Sequence, residues 1–263
     1  MSALDGKAIV IIGGTSGIGR SAARAFAREG ARLVLVGRED GYLAETAREL
    51  GDRARVMAGD AAFPDTAVAA VRMCRDAFGS LDSLYHVAGG SGRLFGDGRL
   101  HELPDRAVAD TLALNLHSVI WSNRAAIRAW LEEGRGGSVL NLASVLAFSP
   151  SPRHFATAVY AAAKEGIIGF SRSIAACYAP SDIRVNVLAP GLTDTPMARR
   201  AVSDPSILEF LTRKQPLQGG RVETPEDLDA ASIFFMSDGS RFCTGQVLAV
   251  DGGWSVSEGG PRA

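Results

Sequence analysis

The sequence is poor in cysteine, and it contains no long apolar run. Its 263 residues include three cysteines, Cys74, Cys177 and Cys243, an odd number that lie far apart in the chain. This usage argues against a disulfide framework and is typical of a reducing compartment. No run of 18 apolar residues is present, and the first residues lack a basic segment followed by an apolar one. We therefore expect a cytoplasmic protein with no membrane partner.

An excess of one charge and a metal-binding pattern are also missing. The 28 Lys and Arg residues nearly balance the 29 Asp and Glu residues, and no basic run suggests a nucleic-acid partner. The four histidines, His86, His101, His117 and His154, do not have the spacing of metal ligands. We expect no bound metal and no nucleic acid, and a small molecule as the ligand.

Short apolar runs alternate with helical segments along the whole chain. Runs of this kind, bounded by turn residues, are typical of strands buried on both faces of a parallel sheet. The predicted strands cover residues 7–12, 32–36, 55–58, 81–87, 137–142, 183–188 and 246–250. Their alternation with helices predicts an α/β, doubly wound Rossmann-type fold with a seven-stranded parallel sheet. Because no linker divides the chain, we predict one domain over residues 1–263, with substrate loops at about 91–100, 148–158 and 192–217.

The first strand runs directly into a glycine-rich loop and then a predicted helix. Glycines allow close approach of a ligand to the backbone, and a helix N-terminus offers unpaired N–H groups to a pyrophosphate. The pattern therefore predicts a dinucleotide site, although a tight turn between strand and helix is the alternative. The predicted contacts in this loop are Gly13, Thr15, Ser16, Gly17, Ile18 and Gly19.

The second strand ends in Gly37-Arg38, where an acidic residue would bind the ribose 2′-hydroxyl of NAD. Gly37 is expected to leave room there, and Arg38 offers a planar cation that suits a 2′-phosphate. We therefore expect NADP(H) to be preferred, with NAD(H) possible. Glu39 and Asp40 follow at once and would repel a phosphate. The alternative is that Arg38 is a solvated loop residue without a role in cofactor binding. Asp60, after the third strand, is either an acceptor for the adenine amine or a helix N-cap.

Tyr160 and Lys164 are four residues apart in an alanine-rich segment that predicts a helix. At this spacing both side chains lie on one helix face, and a cation beside a phenol favours the phenolate. The pair is a candidate proton donor and acceptor, although such a spacing also arises by chance. Ser144 follows the fifth strand and is a candidate hydrogen-bond donor. Asn115 lies inside the helix predicted for residues 104–132, as a functional residue or an exposed one.

Taken together, these residues resemble the short-chain dehydrogenase/reductase family, in its compact single-domain branch that includes 3-oxoacyl and carbonyl reductases. The resemblance extends from about Leu4 to Trp254 and implies the strand order 3-2-1-4-5-6-7, a nicotinamide cofactor and a homo-oligomer, a tetramer or a dimer. The motifs that carry it are the glycine loop, Asp60, Ala88-Gly89, Asn115, Ser144, Tyr160-x-x-x-Lys164, the segment 186–191 and Asp251-Gly252-Gly253.

The resemblance also implies roles for individual residues. Tyr160 would be the general acid or base, and Lys164 would lower its pKa and bind the nicotinamide ribose. Ser144 would hydrogen-bond the substrate carbonyl, and Asn115 would hold a water of a proton relay. Further implied cofactor contacts are Asp60, Ala61, Ala88, Gly89, Tyr160, Lys164, Pro190, Gly191, Thr193 and Thr195.

The expected activity is hydride transfer between NADP(H) and a ketone or secondary alcohol. An NAD-dependent dehydrogenase of a hydroxyl substrate is the alternative, followed by a cofactor-binding protein without turnover.

The chain departs from the family pattern in three places. Ile12 replaces a threonine before the first glycine, and His86-Val87 replace two asparagines before Ala88-Gly89. We expect both changes to remove polar contacts that brace the fourth strand. Ser144 and Tyr160 are separated by more residues than usual, and the extra length is expected to shape the substrate pocket.

Overall fold

Seven parallel strands form one sheet in the order β3-β2-β1-β4-β5-β6-β7, which confirms the predicted fold and strand order. The computed structural model describes residues 2–260. The strands are β1 Ala8–Ile12, β2 Arg32–Gly37, β3 Ala54–Ala58, β4 Ser83–His86, β5 Gly137–Leu142, β6 Ile183–Pro190 and β7 Val247–Val250. β4 is shorter than predicted from the sequence, and β6 continues two residues further, to Pro190.

Helices separate most of the strands. They are α1 Gly17–Arg28, α2 Asp40–Leu50, α3 Pro64–Phe78, α4 Asp105–Leu112, α5 Ser118–Glu132, α6 Ala158–Tyr178, α7 Arg199–Val202, α8 Pro205–Lys214 and α9 Asp229–Met236. The helix predicted for residues 104–132 is interrupted between α4 and α5 by a π-helical turn, Ala113–His117. Among residues 2–260, no helix is both long enough and apolar enough to cross a bilayer.

The central strand β1 is buried on both faces, as its continuous apolar run predicts. Successive side chains of a strand point to opposite faces. Accordingly, Val10 and Ile12 belong to one apolar core, and Ile9 and Ile11 belong to the other. Helices α3 and α5 contribute to the first core, whereas α1 and α9 contribute to the second.

The parallel arrangement brings the loops after β1, β4, β5 and β6 to one edge of the sheet. In open α/β sheets, ligands bind in the crevice outside the carboxyl ends of the strands. These loops carry most of the predicted site residues, so the topology alone places them at one end of the molecule. The single domain proposed for residues 1–263 stays a prediction, and residues 1 and 261–263 lie outside the described part of the chain.

Candidate active site

The glycine loop after β1 is folded so closely that side chains are excluded. Gly13 and Gly17 have φ angles of 89° and 47°, in the left-handed region that favours glycine. A Cβ atom at Gly13 would lie 2.7 Å from the backbone nitrogen of Ala88, and one at Gly19 would lie 2.0 Å from the Gly13 carbonyl oxygen. The loop therefore rests directly against the end of β4, as the sequence predicts for a cofactor cradle.

The N-terminus of α1 is open to a ligand. The N-cap residue Ser16 makes no side-chain capping bond, and within residues 2–260 the N–H groups of Gly17, Ile18 and Gly19 find no acceptor. Unpaired N–H groups at the positive end of a helix dipole fit a pyrophosphate. Thr195 lies next to this turn, because a Cβ atom at Gly17 would be 3.1 Å from its methyl carbon. The site thus fits the dinucleotide predicted from the sequence.

The end of β2 packs against the glycine loop. A Cβ atom at Gly37 would lie 2.1 Å from the Thr15 hydroxyl oxygen, so the space beside Gly37 is taken by Thr15. The missing side chain at Gly37 is therefore required by the packing of Thr15, and the room for a phosphate stays a prediction. Arg38 is exposed, and its guanidinium has no hydrogen-bond or ion-pair partner among the residues that the structure describes. It is thus available to a ligand.

Asp60 supports its own loop after β3. One of its carboxylate oxygens accepts the N–H of Ala62 at 2.9 Å, and its carbonyl accepts the Thr66 hydroxyl at 2.7 Å. Ala61 packs against the core beside them. Asp60 therefore closes a turn before α3, but it is not the helix N-cap considered as its alternative, because the N-cap residue is Phe63. Its second carboxylate oxygen remains available to an adenine amine.

Ser144, Tyr160 and Lys164 come together at the carboxyl end of β5. The Ser144 hydroxyl accepts the Leu146 N–H at 3.2 Å and lies close enough to the Tyr160 phenol to act on its pKa. The Lys164 ammonium nitrogen lies 5.6 Å from the Tyr160 ring centroid and donates to the Leu142 carbonyl at 2.8 Å. Ser144 and Lys164 are buried and Tyr160 is half-buried. The structure therefore places a phenol, a hydroxyl and an amine together in a shielded pocket.

Burial controls the protonation of this group. It raises the pKa of Tyr160 to about 12, and the nearby Ser144 hydroxyl acts against this shift. Burial also lowers the pKa of Lys164 to about 7. The sequence predicts that the charge of Lys164 lowers the phenol pKa, but in this structure desolvation outweighs any such effect. A lysine with a pKa near 7 is only partly charged at neutral pH, which weakens its influence on the phenol.

Asn115 is fully buried in the π-helical turn, which excludes the exposed position considered for it. Its side-chain nitrogen donates to the carbonyls of Thr111 and Gly90, both at 3.0 Å, and its side-chain oxygen accepts the Gly90 N–H at 3.1 Å. The Thr111 carbonyl is the one that the N–H of residue 115 would take in an α-helix. The Asn115 side chain thus takes the carbonyl that the backbone would use in an α-helix, and the helix widens to a π-helical turn at the same place. Such π-bulges are frequent at functional sites.

Asn115 and Lys164 meet at Gly89. A Cβ atom at Gly89 would lie 2.9 Å from the Asn115 side-chain oxygen and 3.3 Å from the Lys164 nitrogen. The structure therefore joins the loop after β4 to the catalytic candidates on α6.

His86 replaces the polar contacts that the sequence suggested were lost. Its Nδ1 lies 2.7 Å from the Ser122 hydroxyl, and its Nε2 lies 3.1 Å from the Ala88 carbonyl and 3.2 Å from the Ser118 hydroxyl. The Ala88 carbonyl can only accept, which assigns the proton to Nε2. Burial lowers the pKa of His86 to about 3, so the ring is neutral. The prediction that polar bracing of β4 is lost is therefore wrong at His86.

Two residues that contact the loop after β6, Gln215 and Glu223, are not predicted by the sequence. The Gln215 side-chain oxygen accepts the Leu192 N–H at 2.9 Å, and the Thr193 hydroxyl donates to the Glu223 carboxylate at 2.6 Å. A Cβ atom at Gly191 would lie 2.4 Å from the Gln215 oxygen. Both partners are distant in sequence from this loop, by 23 and 30 residues, and no local pattern marks them.

Comparison with known proteins identifies the family. A sequence profile described as enoyl-(acyl carrier protein) reductase matches residues 13–255. The chain belongs to the short-chain dehydrogenase/reductase family. It is 34% identical over 258 residues to galactitol 2-dehydrogenase (L-tagatose-forming) of Cereibacter sphaeroides, with 96% of each chain covered.

Solved structures of the family superpose closely. A short-chain type dehydrogenase/reductase from Mycobacterium ulcerans gives a TM-score of 0.89 at 27% identity, over 97% of this chain and 92% of that chain. A 3-ketoacyl-(acyl-carrier-protein) reductase from Brucella melitensis, complexed with NADH, gives 0.84 at 29% identity, over 96% and 100%. The protein is therefore an oxidoreductase of this family, acting on alcohol or ketone substrates with a nicotinamide cofactor.

In this short-chain dehydrogenase/reductase, the predicted substrate loops pack against one another. The rings of His154 and Phe210 are 4.8 Å apart, and Trp254 lies 5.6 Å from Phe210 and 5.7 Å from Phe155. The Trp254 indole nitrogen also donates to the Ser149 carbonyl at 3.1 Å. The long loop between Ser144 and Tyr160 is thus held on α8 and on the C-terminal segment.

Proposed function

We propose that the protein is an NADP(H)-dependent oxidoreductase that interconverts a ketone and a secondary alcohol, with Tyr160 as the general acid or base. The observation that carries the proposal is the placement of the Ser144 hydroxyl close enough to the Tyr160 phenol to act on its pKa, with Lys164 beside the ring. A substrate oxygen placed between the two hydroxyls would accept a hydrogen bond from each. A substrate ketone is polarised in this way before it takes up a hydride.

The residues around the pocket have separate tasks in this proposal. The nicotinamide, when bound, donates or accepts the hydride. Tyr160 gives its proton to the substrate oxygen during reduction and removes it during oxidation, and Ser144 stabilises the charge that develops on that oxygen. At neutral pH a phenol with a pKa of about 12 is protonated, which suits the acid role in ketone reduction.

Lys164 and Asn115 support the proton transfer. Lys164 has a pKa of about 7, so it exchanges a proton readily near neutral pH. It lies beside the Asn115 amide at Gly89, close to the surface that the cofactor would cover. We propose that Lys164 returns a proton toward Tyr160 after each reduction, while Asn115 holds the loop after β4 in place.

The preference for NADP(H) rests on Arg38. It is exposed, unpaired within residues 2–260 and located just past β2, where it can reach a 2′-phosphate. The neighbouring acids Glu39 and Asp40 favour NAD(H) instead. The 3-ketoacyl reductase structure contains NADH, and the galactitol relative is named a dehydrogenase, so an NAD-dependent alcohol dehydrogenase is the second candidate function.

The decisive experiment removes the phenol oxygen of Tyr160. Tyr160→Phe should lower kcat by about two to four orders of magnitude, because the general acid is lost, while the Kd for NADPH stays within about twofold. Tyr178→Phe, at the other end of α6, is the matched control and should leave kcat unchanged. Turnover is followed as NADPH consumption across a panel of ketones. Wild-type turnover in Tyr160→Phe would refute the assignment.

We also propose that the protein forms a homo-oligomer. β7 is the last strand of the sheet, and apolar side chains on or near it, including Leu248 at 40% and Phe242 at 102% exposure, face outward. An open strand edge with exposed apolar groups is a natural surface for pairing with a second copy. Light scattering of the purified protein tests this, and a monomer would contradict it.

A further inference from the structure

The helix that carries Tyr160 is not capped by its own preceding residues. An α-helix begins with N–H groups that have no partner within the helix, and a side chain just before it usually accepts one of them. The N-cap residue of α6, Thr157, makes no such bond. Instead, the Ala158 N–H bonds to the Gly98 carbonyl at 3.5 Å.

The next two N–H groups bond to a single carboxylate from a distant loop. Val159 donates to Asp97 Oδ1 at 3.2 Å, and Tyr160 donates to Asp97 Oδ2 at 2.8 Å. Asp97 precedes these residues by 62 and 63 positions. Both oxygens of one side chain therefore hold the helical turn that contains the proposed general acid.

Asp97 is held firmly in this position. The residue is 3% exposed, and a Cβ atom at Gly92 would lie 2.6 Å from the Asp97 Cβ and 2.5 Å from the Thr111 hydroxyl. The loop that carries Asp97 follows directly from Gly89 and Gly90, which contact Lys164 and Asn115. Movement of this loop is thus coupled to the start of α6 by hydrogen bonds and by close packing.

We propose that Asp97 is a positioning residue, which fixes Tyr160 against Ser144 by accepting the Val159 and Tyr160 N–H groups and so couples the substrate loop to the proton donor. This proposal rests on the function proposed for Tyr160. A carboxylate is suited to the task because it has two accepting oxygens and its charge is favourable at a helix N-terminus. An asparagine at this position keeps one accepting oxygen, and an alanine keeps none.

The test compares Asp97→Ala and Asp97→Asn with Asp82→Asn. Asp82 is the matched control, because its carboxylate also accepts a backbone N–H, that of Ala8 at 2.8 Å, but at the amino end of β1, away from the site. For Asp97→Ala we expect kcat to fall by about ten- to a hundredfold, since small misplacements of a catalytic group are costly. For Asp97→Asn we expect a smaller loss, and the Kd for NADPH should change less than about twofold in both.

The outcomes separate a positioning role from a structural one. An unchanged kcat in Asp97→Ala would overturn the proposal, as would an equal loss of kcat in Asp82→Asn, which would indicate general destabilisation. A parallel loss of NADPH affinity would also overturn it, since the effect would then lie in the cofactor site.

A second measurement does not depend on turnover. Amide hydrogen exchange of the segment 158–160 should accelerate at least about tenfold in Asp97→Ala and remain at the wild-type rate in Asp82→Asn. If the wild-type protein turned over no carbonyl substrate, the proposed function would fail, and this exchange would still decide whether Asp97 holds the turn. Unchanged exchange in Asp97→Ala would overturn the anchoring itself.

Discussion

Glu223 is a buried carboxyl group whose ionisation should set part of the pH dependence of stability. It is 4% exposed, and burial raises its pKa from the ordinary value of 4.5 to about 7, although the hydrogen bond from Thr193 acts against this shift. Between these two pH values the folded protein keeps a proton that the unfolded chain has released. Stability should therefore be complete below pH 4.5 and should fall as the pH rises through 7. At about 1.4 kcal/mol per pH unit, the total loss is about 3 kcal/mol.

Replacing Glu223 by glutamine removes this titration and keeps an oxygen that can accept the Thr193 hydroxyl. Glu223→Gln should match the wild-type protein near pH 4.5 and exceed it at pH 8.5 by about 3 kcal/mol, or roughly 5 to 10 °C in Tm. The assay is thermal unfolding of the cofactor-free protein across this pH range. Glu226→Gln, an exposed carboxylate on the same segment, is the control and should follow the wild-type curve. Parallel curves for Glu223→Gln and the wild type would refute the reasoning.

Two further predictions follow from the site. Arg38→Asp should weaken NADPH binding by about ten- to a hundredfold and leave NADH binding unchanged or improved, because a cation for the 2′-phosphate is replaced by an acceptor for the hydroxyl. Fluorescence titration of both cofactors measures this, with Arg53→Asp as the exposed control, and equal affinities in Arg38→Asp and wild type would remove Arg38 from the site. His86→Ala should cost roughly 2 to 4 kcal/mol of stability, because a buried ring and its hydrogen bonds are lost. Thermal unfolding should show a lower Tm than for His101→Ala, where the ring is exposed; the same Tm in both would contradict the bracing role.

The fold was predictable because its signals are local and repeated. Continuous apolar runs predict strands buried on both faces, and their alternation with helices predicts a parallel sheet. The glycine loop was also predictable from the sequence, because a left-handed turn at Gly13 and the close contact at Gly19 require residues without side chains. Helix periodicity also placed Tyr160 and Lys164 on one face of α6.

The departures came from contacts between distant segments. Gly37 was interpreted only as space for a phosphate, but its missing side chain also makes room for the Thr15 hydroxyl. His86 suggested a loss of bracing, yet it hydrogen-bonds to Ser122 on α5. Lys164 suggested a lowered pKa for the Tyr160 phenol, but burial raises that pKa and lowers the pKa of Lys164. How deeply the two side chains are buried depends on the packing of the segments around them. None of these outcomes can be read from the order of residues around the position concerned.

The sequence by itself determined the fold, the cradle for the dinucleotide and the identity of the proposed proton donor, because each depends on residue types at fixed local spacing. Only the tertiary structure decided which groups hold that donor in place. Asp97 reaches α6 from a loop 63 residues away from Tyr160, and Glu223 reaches Thr193 across 30 residues. Such hydrogen bonds depend on how the chain packs in space, and burial then sets the protonation of the groups that it encloses.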